Sequence, residues 1–241
     1  MSSLPYLDLT LPSIAANLAV DEALLLEAEA GRGGELLRLW EWQQPAVVLG
    51  SGCKLAEDVN EAACRAEGVT IWRRSSGGGT VLLASGCQCY SLVLSYERAA
   101  ALREIRPSYR HVLERIRGAL EGLLPEIEYA GISDLASAGR KFSGNAQQRK
   151  QKFLLHHGTL LYHFDVSLVD RYLRLPTRQP DYRLQRGHEE FLVNLPVKSS
   201  ELKRRLLAGW NATAENPAWP QQRVAELVKQ KYGQGKWNRR R

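Results

Sequence analysis

The chain has 241 residues, of which 44% are hydrophobic, and it carries a formal net charge of +7 at pH 7. This composition is that of a globular domain with a sizeable core, and no apolar run reaches the roughly 18–20 residues that a membrane-spanning helix needs. The N-terminus lacks the basic and apolar regions of a secretory signal. We therefore expect a cytoplasmic protein with reduced thiols and no membrane partner. The net charge suits anionic partners, although the basic residues at the C-terminus can equally form a solvated tail.

In chain order, Ser13 is expected to cap a helix that runs to about residue 30. Two strands, 35–42 and 46–49, follow and are interpreted as a hairpin because a Gln-Gln-Pro turn separates them. Shorter elements come next: a helix over 57–67 and strands over 69–73, 81–83 and 89–95.

Pro107 opens the clearest helix, in which the apolar residues share one face. Its predicted core face consists of Tyr109, Val112, Leu113, Ile116, Leu120 and Leu123. Strands are predicted over 126–129, 141–147 and 152–162, an irregular loop over 175–186, and a helical C-terminal part over about 198–241 with a loop at 211–220. Helices and strands do not alternate regularly, so we predict an α+β fold with a mixed, mostly antiparallel sheet flanked by helices.

The segment Arg73-Arg74-Ser75-Ser76-Gly77-Gly78-Gly79-Thr80 is the most unusual part of the sequence. Three adjacent glycines cost much backbone entropy, which suggests either a plain turn or a place where the backbone approaches a ligand. Arginines and serines beside exposed N–H groups favour a phosphate or a carboxylate as that ligand. The spacing fits neither of the two common nucleotide-binding glycine loops.

A second candidate segment contains Asp134 and Lys141, and small residues flank the lysine. An isolated lysine is usually a solvated cation. Here the flanking glycines leave room for a ligand, and an ammonium group between a carboxylate and a phosphate would stabilise the charge that develops when an acyl phosphate forms.

The third segment, 155–165, contains three histidines. As a strand it would place His157, Thr159, Leu161, His163 and Asp165 on one face. Zinc binding is an alternative, but no companion Cys-x-x-Cys or H-E-x-x-H pattern supports it. Cys87 and Cys89 should share a face of another strand, and packing in the core is the favoured role for all four cysteines.

Taken together and in this order, the three segments resemble the lipoate-protein ligase A branch of the biotin/lipoate protein ligase superfamily. The family's R-R-x-S-G-G-G-x-V motif is matched from Arg73 to Val81 with one neutral change. Its G-R-K-x-S-G-x-A motif is matched from Gly139 to Ala146, and H-H-G-T-L-L is matched without change from His156.

The resemblance implies a fold similar to class II aminoacyl-tRNA synthetases and biotin ligase, with residues 1–241 forming one catalytic domain of this type and no small C-terminal accessory domain. It implies an enzyme that activates lipoic acid with ATP and Mg²⁺ to lipoyl-AMP and transfers the lipoyl group to a lysine. The implied partner is a lipoyl-carrier domain, either glycine cleavage H-like or 2-oxoacid dehydrogenase E2-like, and a separate accessory ligase subunit is a further implied partner.

The resemblance also implies roles for individual residues. Lys141 would contact the acyl carbonyl and the α-phosphate, and Asp134 would lie beside that phosphate or its Mg²⁺. Trp72, Leu82 and Leu83 would form walls for the acyl chain. The implied nucleotide and substrate pocket consists of Arg74, Ser76, Gly77, Gly78, Gly79, Thr80, Asp134, Ala146, His157 and Thr159.

The sequence departs from the family where an aromatic, His, Asp run often follows the glycines, because Leu82-Leu83-Ala84 stands there. One alternative is an octanoyltransferase that moves octanoyl from acyl carrier protein through a cysteine thioester. Such enzymes tend to place the cysteine shortly before the G-R-K motif, and none lies between Tyr129 and Gly139. A non-catalytic lipoyl-domain binding protein is another alternative. Nucleic-acid binding through the basic tail is disfavoured, since aromatic and basic residues do not interleave.

Overall fold

The computed structural model describes residues 3–177, 179–215 and 217–241. Within them, the strands form one eight-stranded sheet, here the main sheet, and one three-stranded sheet, here the small sheet. In chain order the strands are β1 Leu4–Asp8, β2 Leu36–Glu41, β3 Ala46–Leu49, β4 Thr70–Arg73, β5 Val81–Leu83, β6 Cys87–Ser95, β7 Ile127–Ala130, β8 Asp134–Ser137, β9 Arg140–Arg149, β10 Phe153–Leu161 and β11 Ala212–Glu215.

The main sheet has the order β11-β1-β2-β6-β10-β9-β8-β7, and the small sheet has the order β4-β3-β5. In the main sheet β1 pairs in parallel with β11 and β2, and the other pairings are antiparallel. The predicted mixed, mostly antiparallel arrangement is therefore confirmed. The predicted hairpin of residues 35–42 and 46–49 is wrong, because β2 lies in the main sheet and β3 in the small one.

The helices flank these sheets. They are α1 Ile14–Glu29, α2 Leu55–Asp58, α3 Glu61–Ala66, α4 Ile105–Ala119, α5 Ser167–Tyr172, α6 His188–Phe191, α7 Ser199–Gly209, α8 Gln221–Leu227 and α9 Gly235–Asn238. Ser13 caps α1 as predicted, with its hydroxyl accepting from the backbone N–H of Ala16. The single helix predicted over 57–67 is two short helices, α2 and α3.

Two apolar clusters lie on opposite faces of the main sheet. The first packs α1 against β6, β10 and the small sheet, and it buries Ile14, Leu18 and Leu25. The second packs α4 and α7 against the other face, and the predicted core face of α4 is confirmed. Because α1 contacts both the sheet and the C-terminal helices, it is buried almost all round, and polar residues on it must find partners inside the protein.

Three strands were not predicted from the sequence: β1, β8 and β11. The segment predicted as a helical C-terminal part also contributes β11 to the edge of the main sheet. The predicted loop over 175–186 contains a short 3₁₀ helix at Asp181–Arg183. Arg178 and Asn216, which fall in predicted loops, lie outside the described residues. Among the described helices, none is both long enough and apolar enough to cross a membrane.

Candidate active site

The loop of residues 74–80, here the glycine loop, connects β4 to β5. Gly78 adopts a left-handed φ of +83°. Its carbonyl oxygen lies 2.0 Å from the position that a Cβ on Gly50 would occupy. A side chain on Gly50 would therefore push the loop away from the end of β3. This close approach fixes the position of the glycine backbone at the wall of a large cavity.

Arg74 holds the carbonyl groups of the glycine loop. Its Nη2 donates to the carbonyl oxygens of Gly77 and Gly79, each at 2.7 Å, and its Nε donates to Ser76 Oγ at 3.0 Å. Its Nη1 donates to Val48 O at 3.3 Å. Burial lowers the pKa of the Arg74 guanidinium to about 10. Arg74 therefore shapes the loop from inside, and its predicted contact with a nucleotide stays a prediction.

Ser76 is buried beneath the same loop and lies beside His157, with 2.6 Å between Ser76 Oγ and Nε2 of the imidazole. The other ring nitrogen, Nδ1, lies 3.4 Å from Asp21 Oδ2. Arg38 donates to Asp21 Oδ1 at 2.6 Å. Burial alone would raise the pKa of the Asp21 carboxyl, but Arg38 and His157 outweigh it and hold this pKa below its usual value.

Lys141 and Asp134 form an ion pair at the other side of the cavity, with Nζ 2.8 Å from Oδ1. Tyr182 donates its hydroxyl to Asp134 Oδ2 at 2.8 Å. Burial and the neighbouring carboxylate raise the pKa of the Tyr182 phenol, so it remains the donor. A Cβ on Gly144 would lie 2.8 Å from Lys141 Nζ. The lysine side chain therefore lies over a position that only glycine leaves open.

Four residues from adjacent strands form a row across one face of the main sheet. Trp40 of β2 lies opposite Cys89 of β6, which lies opposite Thr159 of β10, which in turn lies opposite Gly144 of β9. Strands are about 4.8 Å apart, so the row extends about 14 Å from β9 to β2. Lys141 lies over its β9 end, and Trp40 closes its β2 end.

This row forms one wall of an inner slot of about 150 Å³, which lies beside an outer cavity of about 2030 Å³. Both share residues of the glycine loop together with Asp134, Lys141 and Thr159, so the ion pair lies where the two meet. The slot is lined by the apolar residues Leu18, Trp40, Val48, Val81, Leu83 and Cys89, together with polar residues that include Asp21, Ser91 and His157. A slot of this kind suits an aliphatic chain whose polar end remains near Lys141.

The outer cavity is lined by more basic than acidic residues. Six lysines and arginines line it against four acidic residues, which favours an anionic ligand. The basic residues are Lys54, Arg106, Arg110, Lys141, Arg174 and Arg183, and the acidic ones are Glu57, Asp58, Asp134 and Asp181.

Most of the predicted site residues lie together at these cavities. Ser76 lines neither cavity, and its side chain lies behind the glycines. Of the predicted acyl walls, Leu82 lines the outer cavity, Leu83 the slot and Trp72 neither. The predicted residues that line one or both are Arg74, Gly77, Gly78, Gly79, Thr80, Asp134, Lys141, Ala146, His157 and Thr159.

Comparison with known proteins identifies the family of the chain. A model of the lipoyl protein ligase A/B catalytic domain matches residues 13–199. The chain belongs to this family. It is thus an enzyme of the family that includes lipoate ligases and octanoyltransferases.

Curated relatives in the family carry both kinds of name. The octanoyltransferase LipM of Carboxydothermus hydrogenoformans is 28% identical over 92% of this chain and 93% of that protein. The octanoyltransferase LipM of Geobacillus kaustophilus is 27% identical over 94% of each. A probable lipoate-protein ligase A of Mycoplasma pneumoniae is 30% identical, but over 66% of this chain and 45% of that protein.

Solved structures establish the family fold. A bipartite lipoate protein ligase of Thermoplasma acidophilum, studied with its E2 lipoyl domain, gives a TM-score of 0.85 at 21% identity and covers 99% of this chain and 97% of that one. A lipoate-protein ligase A bound with ATP gives a TM-score of 0.83 at 22% identity over 99% of each chain. The predicted ligase-type fold is confirmed.

The histidine-rich segment is divided between the two faces of β10. His157 and Thr159 face the slot as predicted, whereas His156 is buried on the opposite face. The strand ends at Leu161, so the prediction that His163 and Asp165 continue the same face is wrong. Among the described residues, no three His, Cys, Asp or Glu side chains are grouped as a metal site. The zinc alternative has no support in this part of the chain.

All four cysteines are free thiols. Cys64, Cys87 and Cys89 are buried as predicted, but Cys53 is only partly buried and lines the outer cavity. Its Sγ donates to the carbonyl oxygen of Gly78 at 3.4 Å. Burial raises the pKa values of the Cys53 and Cys89 thiols, which disfavours the thiolate form at neutral pH.

Asp21 and Tyr182 are site residues that sequence reasoning missed. A signal existed for Asp21, since Asn17, Asp21 and Glu22 are polar residues within an otherwise apolar buried helix. No signal pointed to Tyr182, because it lies in the 3₁₀ helix of an irregular segment 48 residues from its partner Asp134.

Proposed function

We propose that this protein activates a lipoate-class carboxylic acid with ATP and transfers the acyl group to a lysine of a lipoyl-carrier domain. The observation that carries the proposal is the position of the Lys141 ammonium group. It lies where the inner slot, which has an apolar part, meets a cavity with a basic lining and an adjoining glycine loop. An acyl-adenylate has an acyl chain for the slot, a nucleoside for the cavity and a phosphate for the glycine loop.

The inner slot supports a medium-length acyl chain as the substrate. Leu18, Trp40, Val48, Val81 and Leu83 give it an apolar surface, and the strand row that forms one side extends about 14 Å. The carboxylate of such a chain would lie beside Lys141, and the bulk of the nucleotide would occupy the outer cavity. The glycine loop supplies backbone N–H groups for a phosphate at this junction.

The proposed reaction has two steps. In the first, a carboxylate oxygen of the acid forms a bond to the α-phosphorus of ATP, and pyrophosphate leaves. In the second, the lysine amine of the carrier attacks the acyl carbon, an amide bond forms, and AMP leaves with the bonding electron pair while the amine loses a proton. Lys141 would stabilise negative charge on the carbonyl and phosphate oxygens in both steps. Asp134 and Tyr182 would orient its ammonium group.

Mg²⁺ would accompany the nucleotide in this proposal. The described residues fit an ion carried largely by phosphates and water, as is usual for magnesium, with Asp134 as the predicted protein ligand. Both oxygens of that carboxylate already accept or pair with other groups, Oδ1 with Lys141 and Oδ2 with Tyr182. If Asp134 bound the ion, the oxygen that it used would also contact Lys141 or Tyr182.

A second candidate function is octanoyl transfer from an acyl carrier protein. Its support is that curated relatives over nearly the whole chain are named octanoyltransferases. A transfer through an enzyme thioester requires a reactive thiol, and Cys53 and Cys89 line the two cavities. Burial raises the pKa of both thiols, which disfavours the thiolate that such a transfer needs. The thiols therefore favour the ligase over this alternative, and the presence of Lys141 argues against a non-catalytic binder.

The deciding experiment offers the purified chain an apo lipoyl domain with one of two donors, lipoate with Mg-ATP or octanoyl-acyl carrier protein. Mass spectrometry measures acylation of the carrier, and lipoate-dependent exchange of pyrophosphate into ATP measures the first step. We expect exchange and acylation with lipoate and ATP. Acylation from the thioester donor alone would overturn the ligase in favour of the second candidate, and no acylation from either donor would favour a binder. Because the Thermoplasma ligase is bipartite, a parallel reaction adds an accessory ligase subunit before inactivity is concluded.

A further inference from the structure

A continuous chain of polar contacts connects the buried helix α1 to the glycine loop. It starts at the Asp21 carboxylate, passes through the His157 imidazole and the Ser76 hydroxyl, and ends at the Arg74 guanidinium. Arg74 in turn holds the carbonyl oxygens of two loop glycines. We infer that Asp21 is a positioning residue, which acts through this chain to hold the glycine loop in its ligand-binding shape.

The direction of each hydrogen bond follows from the groups involved. Arg74 can only donate, so Ser76 Oγ accepts from its Nε. The Ser76 proton then has one near acceptor, Nε2 of His157 at 2.6 Å. A neutral imidazole that accepts at Nε2 carries its proton on Nδ1. That proton faces Asp21 Oδ2 at 3.4 Å, an ion-pair distance, and among the described residues this buried oxygen has no hydrogen bond of normal geometry; the Ser91 hydroxyl also lies near the carboxylate. The chain therefore requires the Nδ1–H tautomer of His157.

The order of the three groups is that of a serine-protease triad, yet Ser76 cannot act as the nucleophile. Its side chain is buried and lines neither cavity, and Arg74 already occupies its oxygen. These linked contacts can instead couple the position of one end group to that of the other. His157 lines the inner slot, whereas Gly77, at the other end, lines the outer cavity. The same contacts thus connect the acyl slot to the phosphate-facing loop.

The negative charge of Asp21 is neutralised by Arg38, so His157 is not needed for this purpose. The contact between Asp21 and His157 can therefore serve to position the imidazole. Arg38 donates to Asp21 Oδ1, and it also donates to the backbone oxygens of Leu9 and Asn17 and to Asn17 Oδ1. The oxygen that faces His157 is the other one, Oδ2. Asp21 therefore uses one oxygen to neutralise Arg38 and the other to hold the imidazole.

The first test determines which ring nitrogen of His157 carries the proton in the unmodified protein. Long-range ¹H–¹⁵N spectra of histidine-labelled protein distinguish Nδ1–H, Nε2–H and charged rings, and the spectrum of the His157→Gln variant assigns the signal among the five histidines. We expect Nδ1–H at pH 7. An Nε2–H tautomer or a charged ring would overturn the inference. This result does not depend on which reaction the enzyme performs.

The second test is kinetic and rests on the proposed function. Asp21→Asn and Ser76→Ala are each expected to raise the KM for ATP about tenfold, with a smaller change in kcat. Because Asp21→Asn also weakens the buried ion pair with Arg38, thermal unfolding curves show that each variant is folded at the assay temperature. The double variant should lose no more than the worse single variant, because both act through one chain. Asp8→Asn, which alters an exposed acid paired with Lys203, is the matched control. Additive losses, or a lower kcat at unchanged KM, would indicate a merely structural role.

Discussion

The side chain of Lys141 crosses over Gly144, so that its Nζ lies 2.8 Å from the position of a Cβ on that glycine. The two residues are three apart on β9, where an irregularity in the pairing with β8 lets both contribute to one site. The ammonium group reaches Asp134 by this path. Lys141 thus depends on a neighbour without a side chain, and this dependence can be tested.

Lys141→Ala is expected to reduce acylation of the carrier by about 10²–10³-fold, which is the usual cost of removing one preorganised charge-stabilising group. Asp134 keeps the hydrogen bond from Tyr182, so the fold should be preserved. Initial rates by mass spectrometry, together with a thermal unfolding curve, measure both effects. Lys229→Ala, an exposed lysine, is the control. Unchanged turnover would remove Lys141 from the mechanism.

Gly144→Ala should lower kcat about tenfold with little loss of stability. The added methyl group meets the end of a flexible lysine, at Nζ and Cε, and displaces it from its position. In a Lys141→Ala background the same substitution should have no further effect, since the displaced group is already absent. Gly34→Ala, where a Cβ meets nothing within 4 Å, is the control. Collapse of the fold in the Gly144 variant alone would point to a packing role instead.

Tyr182→Phe removes the phenolic donor to Asp134 Oδ2. Hydrogen bonds to charged groups contribute about 1.5–3 kcal/mol, so kcat/KM should fall by about 10- to 100-fold. Steady-state rates with varied ATP measure it. Tyr162→Phe is the matched control, because this tyrosine also donates to a carboxylate, that of Glu41 at 2.7 Å, yet lines neither cavity. Equal losses in both variants would contradict a specific role for Tyr182.

Replacement of the cavity thiols tests the choice between the two candidate functions. Cys53→Ala and Cys89→Ala should each leave the rate of ATP-dependent acylation within about twofold of the original, because burial keeps both as neutral thiols. Cys87→Ala, a thiol that lines neither cavity, controls for repacking. A loss of 10³-fold at a single cavity cysteine would instead identify a covalent acyl carrier.

Stability should fall as the pH falls below about 6.5, and His156 should cause part of the loss. Burial, with a smaller effect of His157, lowers the pKa of His156 in the folded protein to about 3 from its ordinary 6.5. Below 6.5 the unfolded chain binds a proton at this residue and the folded chain does not. The free energy of unfolding therefore drops by about 1.4 kcal/mol for each pH unit between the two values.

Urea unfolding between pH 7 and pH 4.5 measures this slope. In His156→Gln the slope should be shallower by that amount, since the titrating group is absent while an amide remains beside Gln147. Parallel slopes for the original protein and the His156 variant would show that another group titrates.

Local patterns were sufficient for the longer helices and for most strands. The cap at Ser13 and the apolar face of α4 depend on residues that are close in sequence. They can therefore be predicted without the tertiary structure. The false hairpin shows where such reasoning fails. Residues 35–42 and 46–49 both resemble strands, and a turn separates them, but their partners β6 and β4 lie far along the chain.

The sequence alone determined the chemical parts of this protein: a glycine loop, a lysine near an acid, and histidines on a strand, each in a motif that identified the family. Only the tertiary structure decided which way each part faces. It turned Arg74 inward to hold the loop, separated His156 from His157 by the alternation of β10, and brought Asp21 and Tyr182 to the site from elsewhere in the chain. The reason is that buried polar groups must find partners, and partners far apart in sequence meet only when the whole chain packs.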